Sequence, residues 1–263
     1  MSLKDKNAVI YGGAGAIGSA VARKFARDGA RVFLAGRNLP ALDAVAKEIA
    51  AAGGVAETAV VDALDEGAVE AHADGIVRTA GSLDISFNAI SLPQYGIQGT
   101  PLVQLSLENF QRPVHTYATS HFLTMRAAAR RMVPQNSGVI LTLTALPGKL
   151  SAPLVGGMAA SWAGIEALTR ILSAEVGQYG VRVVCLRPDG LPETDTIDVV
   201  YSQHAKTVGI TKDEFQAVTD GMTHRKRAGT LAEVADVAAF LASDQARMLT
   251  GTVVNMSGGS TAD

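Results

Sequence analysis

The stretch Asn7-Ala8-Val9-Ile10-Tyr11-Gly12-Gly13-Ala14-Gly15-Ala16-Ile17-Gly18 decides the fold. Residues 8–11 form a short, largely apolar run, the length of a buried strand. Glycines follow at once. Residues 19–27 then carry Ala20, Val21, Phe25 and Ala26 as an apolar stripe at helical spacing. Strand, glycine turn and helix in that order give a glycine motif its meaning. Glycine lets the backbone turn tightly and approach a phosphate, while the helix N-terminus offers free N–H groups and partial positive charge.

Outward from this unit the pattern repeats. Strand-like runs occur at residues 31–35, 58–61, 83–89, 139–143, 181–186 and 252–256, with helical periodicity at 39–52, 65–79, 157–179 and 231–241. Ser106 is a fitting N-cap for a long helix reaching Met132, with Pro113 interrupting it early. Strands alternating with helices imply parallel pairing with both faces covered. The expected fold is therefore α/β, a single Rossmann-like doubly wound domain over residues 1–263. A seven-stranded parallel sheet would carry helices on both faces. Polar residues 191–227, with Gly209 and Gly221, are read as an irregular lid over the pocket. In such sheets ligands sit beyond the carboxyl ends of the strands, where strand order reverses.

Composition narrows the function. The chain has 263 residues, 48% of them hydrophobic and 18% charged, enough apolar mass for one large core. A net charge of −2 argues against a nucleic-acid surface. One cysteine, Cys185, permits no internal disulfide and fits a reducing compartment. The start Met1-Ser2-Leu3-Lys4-Asp5-Lys6 has no signal-peptide character, and no apolar run has the length of a membrane span. The expectation is a cytoplasmic protein acting on a small molecule, with neither nucleic acid nor membrane as partner. No metal-ligand cluster stands out.

Further segments carry a family resemblance. Gly12, Ala16 and Gly18 stand where a Thr-Gly-x-x-x-Gly-x-Gly turn has its glycines, with Tyr11 for Thr and Ala16 for the middle Gly. Val61-Asp62 resembles an Asp-Val segment, and Phe87-Asn88-Ala89-Ile90 an Asn-Asn-Ala-Gly segment. Arg187-Pro188-Asp189-Gly190 stands where Pro-Gly follows the sixth strand. Residues 227–229, 240–244, 249–251 and 258–259 match the C-terminal segment. On these segments the chain resembles a short-chain dehydrogenase/reductase nearly end to end. The resemblance implies a nicotinamide cofactor held by Gly12, Gly13, Ala14, Gly15, Ala16, Ile17 and Gly18. It adds Asp62 and Ala63 at the adenine, and Asn88, Ala89, Ile90, Pro188, Asp189 and Gly190 beyond later strands. It also implies a homo-oligomer, a tetramer or dimer, paired through the fourth and fifth helices.

After the second strand stand Gly36, Arg37 and Asn38, with no acid to bond a ribose 2′-hydroxyl. A guanidinium suits a 2′-phosphate, so Arg37 and Asn38 favour NADP(H) over NAD(H).

The same resemblance places a catalytic Asn, Ser, Tyr and Lys, and all four differ here. Anchoring on residues 138–145 puts Ala145 at the Ser. Counting on puts Met158 at the Tyr and Trp162 at the Lys, and the fourth helix puts His115 at the Asn. No tyrosine rescues the motif. Four residues after Tyr11, Tyr95, Tyr117, Tyr179 and Tyr201 stand Gly15, Gly99, His121, Val183 and Ala205. The wider Tyr-x6-Lys spacing of enoyl reductases fails as well. Thr144 adjoins the Ser position, and would substitute only if the strand has already ended.

His115 is then the candidate acid/base, its ordinary pKa being close to neutral. Ser91, Tyr95, Ala145, Met158 and Trp162 are the expected substrate pocket, bulky and apolar. The function expected is an atypical reductase passing hydride from NADPH to an activated C=N or C=C, less readily C=O, without the usual Tyr/Lys acid. The other reading is a cofactor-binding regulator, scaffold subunit or non-redox enzyme on the same fold.

Overall fold

The computed structural model describes residues 2–262. Seven parallel strands run β1 (Asn7–Tyr11), β2 (Arg31–Gly36), β3 (Val55–Val60), β4 (Ile85–Asn88), β5 (Gly138–Leu143), β6 (Val181–Pro188) and β7 (Thr252–Met256). Their order across the sheet is β3-β2-β1-β4-β5-β6-β7. The chain winds outward from β1 in one direction, then crosses back to β4 and winds in the other. The reversal opens a crevice between β1 and β4, above the glycine turn.

The described residues form eight helices, α1 (Ala16–Arg27), α2 (Leu39–Ala51), α3 (Glu66–Ala80), α4 (Leu107–Gln135), α5 (Gly157–Val176), α6 (Asp195–Val208), α7 (Lys212–Met222) and α8 (Leu231–Ala242). Alternation along β1 builds both cores. Ala8 and Ile10 join α1, α2 and α8 through Val21, Phe25, Leu42, Val45 and Val234. Val9 and Tyr11 face the other way, to Val69 and Ile76 of α3, Met132 of α4 and Val176 of α5.

Two expectations are corrected. α4 runs unbroken through Pro113, losing one backbone bond. It crosses α5 so closely that a Cβ on Gly157 would overlap the Phe110 carbonyl oxygen. Residues 191–227 are mostly two helices rather than an irregular lid. Thr194 caps α6 by accepting from Ile197 N, Thr211 caps α7 within a reciprocal bond to Glu214, and Gly209 turns left-handed between them. Tyr201 and Phe215 then pack edge to face, with ring centroids 5.3 Å apart.

His121 lies buried inside α4, its Nδ1 3.0 Å from the Tyr117 carbonyl oxygen. Burial pushes its pKa down to about 4. The folded state thus binds fewer protons than the unfolded chain between about pH 6.5 and 4, so stability falls as pH drops through that window. At pH 4.5 the loss relative to pH 7 is about 2–3 kcal/mol from this residue. Urea unfolding at both pH values should show it, with a shallower dependence in His121→Leu.

Candidate functional site

The glycine turn holds its form through the backbone. Gly12 N and Gly13 N both donate to Ala35 O, at 2.8 and 3.2 Å, and Gly15 N donates to Gly12 O at 2.9 Å. Gly12 has φ +77°, and a Cβ there would stand 2.7 Å from Ala89 O. At Gly18 a Cβ would overlap the Gly12 carbonyl oxygen. α1 begins at Ala16 with no capping side chain and no acid in its first turn. Its opening N–H groups, including those of Ala16, Ile17 and Gly18, have no helical acceptor.

Beside this turn lies a cleft of about 460 Å³. Gly12, Ala14 and Gly15 line it from below, Gly36, Arg37 and Asn38 from β2, Asp62 and Ala63 beyond β3, and Ala89, Ile90 and Ser91 beyond β4. Ten of the residues expected at a cofactor or substrate thus share one cavity. Arg37 is exposed, and no carboxylate among the described residues pairs with it. Asp62 accepts from Leu64 N at 3.0 Å through one oxygen. Asn38 caps α2, accepting from Ala41 N at 3.3 Å.

Other expected residues serve the frame. Asn88 is buried and bonded at both ends of its amide: its Nδ2 donates to Thr124 Oγ1 at 2.9 Å, and its Oδ1 accepts from Ile90 N at 3.0 Å. It pins the end of β4 to α4. Gly13 packs under the turn against Leu34. Pro188 pairs with Met256 at the end of β6. Asp189 Oδ1 accepts from Gly190 N at 2.7 Å, and burial raises its carboxyl above the usual range.

His115 is displaced from its expected place. It is exposed on α4 and does not line the cleft. The α4 residues that do are Arg112, Thr116 and Ser120, spaced one helical turn apart. The helix phase, fixed where Phe110 and Pro113 lie on Gly157, turns His115 outward. The recurring polar spacing at 112, 116 and 120 was the sequence signal for this face.

The expected substrate residues do not form one open pocket. Met158 is 1% exposed, packed with Ile97, Tyr117 and Ile165, and with Leu92 and Trp162 at the edge. The Tyr117 and Trp162 rings are 6.5 Å apart. Burial pushes the Tyr117 hydroxyl up to about 12, against hydrogen bonds from Leu92 and Gln94. Tyr95 is exposed and does not line the cleft. That loop is tied down. Gln98 Nε2 donates to Gln94 Oε1 at 2.8 Å, His204 Nε2 lies 3.1 Å from Gln98 Oε1, and Gly99 N donates to Leu154 O at 2.8 Å.

Ala145 is half-buried at the start of a 3-10 turn, Leu146–Gly148. Thr144 follows the end of β5, yet its hydroxyl turns inward to Glu166 Oε1 at 3.2 Å. Glu166 and Arg187 form an ion pair unforeseen in the sequence. Arg187 Nη1 lies 3.3 Å from both carboxylate oxygens, with the side chains 3% and 9% exposed. Cys185 beside them is pushed up to about 11 by burial and is inert as a thiolate.

The family model described as enoyl-(acyl carrier protein) reductase matches residues 12–261. The chain belongs to the short-chain dehydrogenase/reductase family. Among curated relatives, the uncharacterized oxidoreductase YxbG of Bacillus subtilis is 31% identical over 98% of this chain and 91% of its own. Secoisolariciresinol dehydrogenase of Forsythia intermedia is 32% identical over 98% and 89%. Among solved structures, NAD+-bound xylitol dehydrogenase superposes with a TM-score of 0.92 at 26% identity, covering 98% of this chain and all of that one. The reductases of this family use a nicotinamide cofactor, and the residues here fit one. The turn needs glycine at 12 and 18, α1 presents uncapped N–H groups, and the cleft carries Asp62 and Arg37 on one side. No helix among the described residues is long and apolar enough to cross a membrane.

Proposed function

We propose that this short-chain dehydrogenase/reductase is an NADP(H)-dependent oxidoreductase of atypical mechanism. Its substrate is a small, flat or largely apolar molecule with an activated C=N or C=C, less readily C=O. The cofactor, when bound, supplies hydride. The turn and the α1 N-terminus would hold its diphosphate, Asp62 its adenine, and Arg37 its 2′-phosphate.

The observation that carries this reading is the chemistry at 158 and 162. Met158 has no proton to give, and Trp162 carries no charge. By resemblance these positions hold the acid and its activator. A positioned acid is worth about 10²–10⁴ in rate, so the substrate must need little of that help. An iminium or polarised alkene meets the condition. With His115 facing outward, the balancing proton comes from water or the substrate. Ile97 of the 91–99 loop packs over Met158, at the end where the reaction would take place.

That close packing favours a second reading, a cofactor-binding regulator or scaffold that transfers no hydride. The deciding experiment follows NADPH oxidation across imine, enone and carbonyl panels. Turnover with an imine or enone supports the reductase. Bound NADPH with no oxidation on any panel supports the regulator.

A reducing, cytoplasmic setting suits the single buried cysteine. The outer α4/α5 face leaves Phe122 47% and Ile171 55% exposed beside an apolar groove. We expect it to pair copies of the chain as a dimer or tetramer. Sedimentation should show a multiple of the 27.2 kDa chain, and a monomer at micromolar concentration would contradict this.

A further inference from the structure

We propose that Arg112 is an oxyanion-binding residue of the cleft, one that holds a phosphate or carboxylate of the substrate rather than of the nucleotide. The inference rests on the nucleotide reading above and adds a chemical class to it: the substrate is an otherwise apolar molecule bearing one anionic group.

The charge inventory of the cleft carries the point. Its charged lining residues are Arg37 and Asp62 on the β2–β3 side and Arg112 on the α4 wall. Arg112 is held in place by neutral partners. Its Nη1 donates to Asn109 Oδ1 and its Nη2 to Pro93 O, both at 3.1 Å. No carboxylate among the described residues pairs with it, whereas Arg126, Arg130 and Arg131 further along α4 all pair with Glu66, Glu70 or Asp74 of α3.

A guanidinium has five N–H donors in a fixed fork, so three remain for a ligand. Thr116 lies one turn on along the same helix face, and Ser91 stands two residues before Pro93. Both line the same cavity and add hydroxyl donors. An ordered, unneutralised fork in a cavity that two hydroxyl side chains also line matches an oxyanion in charge and donor chemistry. The nucleotide's anions already have partners elsewhere, its 2′-phosphate at Arg37 and its diphosphate at the glycine turn. Arg112 is therefore left for a third.

The test is a thermal-melt titration with inorganic phosphate on protein saturated with NADPH, comparing wild type with Arg112→Gln. The expected result is a phosphate-dependent rise in Tm that Arg112→Gln lacks and Arg37→Gln keeps. NADPH affinity of Arg112→Gln should stay within about threefold of wild type, because no cofactor hydrogen bond is lost. Three results would overturn the proposal. One is no rise in the wild type. Another is an equal rise in Arg112→Gln, which marks only non-specific ion binding. The last is a loss of NADPH affinity of about tenfold or more, the size of a lost charge-assisted bond, which returns Arg112 to the nucleotide.

If NADPH does not bind the wild type, the nucleotide reading fails by itself. The same phosphate titration on unliganded protein still reads Arg112. A smaller rise in Arg112→Gln than in wild type sustains the oxyanion site, and equal rises refute it.

Discussion

Arg187→Met is expected to destabilise the fold by about 3–5 kcal/mol, the cost of leaving a buried charge without its partner. The reason lies in where Glu166 sits. α5 carries it under the 3-10 turn after β5, and its side chain is only 9% exposed. Thr144 donates to one carboxylate oxygen, but a neutral hydroxyl does not offset a buried negative charge. Arg187 faces both oxygens from β6 at 3.3 Å. Adding Glu166→Leu to Arg187→Met should restore most of the loss, because the pair can be exchanged for apolar groups of similar volume at little cost. Urea unfolding of the single and double variants reads this directly. Equal instability of the two would mean that the pair does not set the stability of this corner.

The second large effect is on binding. Gly18→Ala places a methyl group against the Gly12 carbonyl oxygen. That oxygen accepts from Gly15 N, so it cannot turn away without opening the glycine turn. The α1 N-terminus and the turn must separate, and each charge-assisted hydrogen bond lost to the diphosphate costs about 1.5–3 kcal/mol, or about 10–100-fold in affinity. NADPH affinity should fall by about that factor or more. Binding by Gly18→Ala within a few-fold of wild type would mean that the diphosphate is not held at this turn.

The sheet was legible because it rests on local signals. The apolar run at 8–11 and the glycines after it announce β1 and its turn. Short branched runs such as Val181-Arg182-Val183-Val184 mark the later strands, and their alternation with helices implies parallel order. The cleft was legible for a related reason. Arg37 and Ala89 follow directly on strands and Asp62 lies two residues past one, and strand ends converge in this fold.

Elsewhere tertiary contact decided. The polar composition of 191–227 hid two capped helices, the first of which buries Val200, Tyr201 and Ala205. His115 was placed by counting along α4, but which residues of a helix face the cleft depends on its rotation. Here that is set by the Gly157 contact, more than forty positions away in the chain. Glu166 and Arg187 are 21 residues apart on different elements, and nothing local says that either is buried. The closure over Met158 comes from Ile97, on a loop whose sequence carries no periodic signal.

The most direct test of the account is a titration of the wild-type protein with NADPH and NADH, followed by nicotinamide fluorescence. A charge-assisted contact between Arg37 and the 2′-phosphate is worth about 1.5–3 kcal/mol, so NADPH should bind at least about tenfold more tightly than NADH. Equal affinities, or tighter binding of NADH, would remove Arg37 as the selector. Binding of neither would contradict the central claim that this cleft holds a dinucleotide.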